Sequence, residues 1–135
     1  MIIDTSAIVA ILRDEPDAKS YAEAIERAET RRISAVNFVE GAVVIDSSRD
    51  PIASRRFDEF VKVANLTIDP VTVAQALIAR EAYRDFGKGS GHPAKLNFGD
   101  CFAYALAKAS GEPLLFKGDD FGHTDLLLAQ IEIDS

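Results

Sequence analysis

Short apolar runs separated by segments of helical period set the pattern of this chain. Met1-Ile2-Ile3 predicts a buried strand over 1–4, and comparable runs predict strands at 31–34, 66–68, 113–117 and 131–133. Between them apolar residues recur every three to four positions, which predicts helices over 5–12, 18–29, 35–45, 52–64, 71–86 and 101–109. In the 71–86 segment Val73, Ala76, Leu77, Ala79, Ala82, Tyr83 and Phe86 are expected to face inward. A shorter helix is expected over 126–129, capped by Asp125. Pro16 disfavours helix at Glu15, Asp17 is placed to cap the helix at 18–29, and Ser110-Gly111 stops the helix at 101–109. Strands interleaved with helices imply an α/β fold: one domain over 1–135 with a mostly parallel central sheet of four to five short strands flanked by helices.

Composition narrows the class. With 47% hydrophobic and 27% charged residues, the chain has the balance of an ordinary globular domain. No run approaches the roughly 18 apolar residues that span a bilayer, and no signal peptide is visible, so a cytoplasmic protein is expected. Cys101 is the only cysteine, which excludes an internal disulfide; among Phe98, Phe102 and Tyr104 it reads as a small core residue rather than a nucleophile. A net charge of −7 counts against a broadly basic nucleic-acid surface. It leaves open that some of the surplus acids hold divalent cations, which would make a loaded site far less acidic than its sequence.

Where those acids fall is the informative feature. Asp4 follows the first strand and Thr5-Ser6 opens a helix, so Asp4 is either a helix cap or a carboxylate at the edge where parallel sheets bind ligands. Glu40 lies about one and a half turns beyond the second strand, amid apolar residues and three positions after Asn37; it is either near an exposed edge or partnered. Asn97 can cap the helix that begins there, which places Asp100 at its favourable third position as a capping acid or a site residue. Asp119 and Asp120 follow the strand at 113–117. Oxygen ligands of this kind suit Mg2+ or Mn2+, whereas His92 and His123 are too few and too ill-spaced for zinc. The loop 87–96 lacks the spacing of a nucleotide-binding P-loop. Its Lys88 and Lys95, with Arg80 and Arg84 just before it, form either a solvated surface or a local basic element for a phosphate backbone.

In this order, Asp4-Thr5-Ser6, Glu40, Asn97-x-Gly99-Asp100 and Leu114-Leu115-Phe116-x-Gly118-x-Asp120-Phe121 resemble the PIN domain family over nearly the whole chain, with the nearest likeness to VapC toxins of bacterial VapBC toxin–antitoxin modules. The resemblance implies a Mg2+- or Mn2+-dependent endoribonuclease, held inactive by a VapB antitoxin, often dimeric, and acting on structured RNA such as tRNA or rRNA. It implies that Asp4, Glu40 and Asp100 carry the metal with a fourth acid after the last core strand. Many family members place that acid where Gly118 stands here. The Asp-Phe match therefore favours Asp120, with Asp119 as its rival. Thr5, Ser6 and Asn37 are expected to orient the acids or the attacking water. Two other readings remain: a receiver-like phospho-acceptor module using Lys117, and a catalytically inactive PIN fold that serves only for binding.

Overall fold

The computed structural model describes residues 1–131. Its centre is a sheet of very short strands, β1 (Ile2–Ile3), β2 (Arg32–Ser34), β3 (Thr67–Asp69) and β4 (Leu114–Leu115), in the order β3-β2-β1-β4 with every pairing parallel. The helices are α1 (Thr5–Leu12), α2 (Ala18–Arg27), α3 (Ala35–Asp46), α4 (Pro51–Val63), α5 (Val73–Phe86) and α6 (Phe98–Ser110), and a 3-10 turn spans Asp120–His123.

Strand alternation divides the core between the two faces of the sheet. Ile2 and Leu114 pack with Leu96, Tyr104, Leu106 and Phe121 beneath α5 and α6. Ile3, Ile33 and Leu115 pack on the other face with Ile8, Tyr21, Ile25 and Phe57. Both central strands pass into helices with almost no loop: Asp4 alone separates β1 from α1, and β2 runs straight into α3. That economy puts the first turns of α1 and α3 side by side at the carboxyl edge of the sheet. Gly111, in the left-handed region at φ 70, ends α6 and turns the chain into β4.

Several expectations are revised. The segment expected as a helix over 126–129 is extended: Leu128 bridges Leu114 in parallel, Leu114 N–H donates to Leu127 O, and Ala129 N–H donates to Leu114 O. The cap that would have started a helix is occupied, because the Asp125 carboxylate accepts from Tyr104 Oη at 2.7 Å and from Lys108 Nζ at 2.6 Å. The open edge of β4 supplies backbone partners in its place. Asp17 makes no side-chain cap to α2; it pairs with Lys117 at 3.0 Å. Val73, Ala76, Leu77 and Tyr83 are exposed, since α6 covers only the side of α5 that carries Ala79 and Ala82. Residues 132–133 of the last expected strand lie outside the described residues.

Candidate functional site

Asp4 is buried at 4% exposure and caps α1, as its position at a strand–helix junction predicts. Its Oδ2 accepts the Ser6 backbone N–H at 3.0 Å and the Ser6 hydroxyl at 2.6 Å. Ser6 Oγ in turn accepts the N–H of Lys117 at 2.9 Å, so one hydroxyl joins α1 to the chain leaving β4. The Lys117 ammonium is held by Glu15 and Asp17, which ties the α1–α2 turn to the same point. Cap and site readings of Asp4 are therefore compatible: both Ser6 hydrogen bonds fall on Oδ2, one of the two carboxylate oxygens.

The second cluster joins α3 to the start of α6. Asn37 is fully buried; its amide Nδ2 donates to Gly99 O at 2.9 Å and stands 3.4 Å from Glu40 Oε1. Thr5 Oγ1 donates to the carbonyl of Asn37 at 2.9 Å, linking α1 to α3. The Glu40 carboxylate lies so close to Gly99 that a Cβ there would overlap it. Sequence offered no sign of this contact, because Gly99 and Glu40 come from elements far apart in the chain. Lys117 as a clamp was equally hidden.

Asp100 and Asn97 form a reciprocal capping box: Asn97 N–H donates to Asp100 Oδ2 at 3.0 Å, and Asp100 N–H donates to Asn97 Oδ1 at 2.9 Å. Beyond β4, Gly118 adopts φ 115 and Phe121 is buried as an anchor, while Asp119 and Asp120 project exposed.

Electrostatics shows which of these acids meet. The Asp100 carboxyl is pushed up to about 7, mainly by burial, with further upward pressure from Asp4, Asp120 and Glu40 against the lowering effect of its Asn97 hydrogen bond. The Asp4 carboxyl is raised by burial and by Glu40, against its hydrogen bonds to Ser6. Asp4, Glu40, Asp100 and Asp120 thus share one field, and Asp120 rather than Asp119 is among the charges acting on Asp100. Among the described residues no lysine or arginine pairs with any of the four. A buried carboxylate such as Asp4, with half-buried acids beside it and no basic partner, is costly unless a cation joins them.

The donor set fits a hard divalent ion in a particular way. Among the described residues no three acidic, histidine or cysteine side chains are grouped tightly enough to enclose an ion by themselves. Mg2+ does not need such a cage, since it keeps several waters and binds through one or two carboxylates. Asp4 and Asp100 are the candidates for that pair, Asp4 being first among the charges acting on Asp100, ahead of Asp120 and Glu40.

The basic residues do not form one patch. Lys88 and Lys95 line a surface hollow with Gly89, Gly91, His92 and Pro93, and the base of that loop is closed by Lys88 N–H to Leu96 O at 2.8 Å. Arg80 lines a separate apolar cleft between α5 and α6 with Tyr83, Phe98 and Phe102. Arg84 is paired with its neighbour Asp85. Cys101 is buried and its thiol is raised to about 11 by burial and by Asp100, which suits a core residue.

Comparison with known proteins agrees with this architecture. Residues 1–127 match the family model of the PIN domain. The chain is 60% identical to Ribonuclease VapC28 of Mycobacterium tuberculosis over 124 residues, 92% of this chain and 93% of that protein. It is 49% identical to Ribonuclease VapC42 of the same species over 126 residues, 93% of this chain and 96% of that protein. In fold it is similar to VapBC2 of Rickettsia felis, solved with a DNA fragment from its promoter, with TM-score 0.77 and 18% identity over 97% of this chain and 98% of that one. The chain belongs to the PIN domain family.

Proposed function

We propose that this protein is a VapC-type toxin: an endoribonuclease that hydrolyses phosphodiester bonds of structured RNA, tRNA or rRNA, in the bacterial cytoplasm and is neutralised by a VapB-type antitoxin. The observation that carries the proposal is the convergence of Asp4, Glu40, Asp100 and Asp120 in one field without a basic partner, in a chain 60% identical to a protein named as a ribonuclease.

Asp4 and Asp100 would hold a divalent ion, Mg2+ or Mn2+, which when bound offsets phosphate charge and makes water a better nucleophile. Ser6 fixes Asp4 through its 2.6 Å hydrogen bond, so one oxygen keeps a set direction. Glu40, which lies beside Gly99, would accept a proton from the attacking water. Asp120 adds negative charge at the open side of the site. Lys88, Lys95 and Arg80 supply phosphate contacts along the RNA. The exposed apolar residues Val39 and Val43 on α3, and Val73, Leu77 and Phe98 on α5 and α6, offer surface for the antitoxin and for a second copy in a homodimer.

The receiver-like alternative loses its main support, because the Lys117 ammonium is engaged by Glu15 and Asp17 rather than directed at the acids. The deciding experiment follows RNA cleavage by the purified protein with Mg2+, with Mn2+ and with a chelator. Asp4→Asn and Asp100→Asn should each abolish metal-dependent cleavage while the protein stays folded; full activity in either variant overturns the assignment.

A further inference from the structure

We infer that Asn37 is a positioning residue for Glu40, acting with Gly99 as a lock between α3 and the first turn of α6. The inference deepens the ribonuclease reading above and rests on it.

Three observations converge. Asn37 is fully buried at the third position of α3, where a buried amide is unusual and must find partners. Its Nδ2 uses both available directions on the site, 2.9 Å from Gly99 O and 3.4 Å from Glu40 Oε1. Its Oδ1 meanwhile has no hydrogen-bond partner among the described residues.

Gly99 completes the lock sterically. The Glu40 carboxylate occupies the space that a Cβ at 99 would need, so any side chain there would push the carboxylate aside. Gly99 is adjacent to Asp100, so the same contact fixes the separation of Glu40 from Asp100. Thr5 Oγ1, donating to the Asn37 carbonyl, carries the linkage on to the residue next to Asp4. Three of the acids are thereby held in mutual register by neutral groups that touch no substrate themselves. Asn37 and Gly99 act only through Glu40 and α6, so their effect depends on Glu40 being present.

That dependence is the test. Asn37→Ser, Gly99→Ala, Glu40→Ala and the two doubles with Glu40→Ala are compared for RNA cleavage, Mn2+ binding by calorimetry and thermal melting. Each single change at 37 or 99 should lower kcat and weaken Mn2+ binding about 10–100-fold, the usual range for residues that orient ligands, with KM for RNA little changed. In the Glu40→Ala background neither should lower kcat or Mn2+ affinity further, because neighbours acting through one group are non-additive. Independent, additive losses, or full activity and Mn2+ affinity in both singles, overturn the lock. Wild-type activity in Glu40→Ala instead overturns the acidic-site reading, so the two failures are distinguishable. Gly99→Ala keeps the test decisive if Asn37→Ser melts early, since it leaves every Asn37 donor in place.

Discussion

The hydroxyl of Ser6 donates to Oδ2 of Asp4 at 2.6 Å and simultaneously accepts the backbone N–H of Lys117 at 2.9 Å. One small side chain thus determines which way the most buried carboxylate of the site points and anchors it to the strand that leads to Asp120. Ser6→Ala should lower RNA cleavage about 10–100-fold, as loss of a ligand-orienting hydrogen bond does. Steady-state kinetics beside a melting curve separates this from unfolding, because Asp4 still caps α1 by accepting the Ser6 backbone N–H.

Asp100 ties metal-free stability to pH with a defined sign. Its folded carboxyl titrates at about 7, above an ordinary value of 3.8, so the folded state binds the proton more tightly than the unfolded chain. The resulting penalty is absent below 3.8, grows as pH rises from there to about 7 and is constant above it. In chelator the melting temperature should fall across that interval, Asp100→Asn should flatten the fall, and saturating Mn2+ should reverse it. A wild-type melting curve that rises steadily from about pH 4 to 8 in chelator, with no change of slope in Asp100→Asn, contradicts this.

Glu112 has the opposite sign. The Met1 ammonium first, then Thr30 and Arg32, hold its carboxyl down at about 2 against an ordinary value of 4.5. Its stabilisation is present above 4.5 and is lost as pH falls through 2. Glu112→Gln should cost about 1.5–3 kcal/mol at neutral pH, the range for hydrogen bonds to a charged group. Urea unfolding at about pH 7 and about pH 3 should show the deficit shrinking at the lower pH.

The two acids after β4 are separable by substitution. Both are exposed, yet Asp120 acts on Asp100 and Asp119 is not among the charges that do. Asp120→Asn should weaken Mn2+ binding and cleavage at least about tenfold, whereas Asp119→Asn should remain within about threefold of wild type. The reverse ranking would make Asp119 the fourth acid.

Cys101 should be chemically silent. It is 3% exposed and its thiol is raised to about 11, so little thiolate forms at neutral pH. A thiol reagent at about pH 8 should label the native protein far more slowly than the urea-unfolded chain. Cys101→Ala should keep RNA cleavage, which excludes this neighbour of Asp100 as the nucleophile.

Local sequence settles whatever depends on neighbours along the chain. Apolar period and punctuation located each strand and α-helix core in the described residues, but neither the 3-10 turn Asp120–His123 nor the extended stretch at 127–129. Asp4 and the Asn97–Asp100 box were legible because a cap needs only the next two or three backbone N–H groups. The same locality made those acids ambiguous, since a cap accounts for each of them singly.

Packing settles whatever depends on the path of the chain through space. The hydrogen bond from Asn37 to Gly99 spans 62 positions, and no local pattern encodes it. The space taken by Glu40 against Gly99, the Lys117 clamp and the action of Asp120 on Asp100 all follow from how α3, α6 and the exit of β4 meet. The open edge of β4 likewise overrode the helix expected after Asp125. Asp4 lies at the sheet edge by local chemistry; its membership of an acidic site is set by long-range packing, because mutual desolvation and repulsion act through space rather than along the chain.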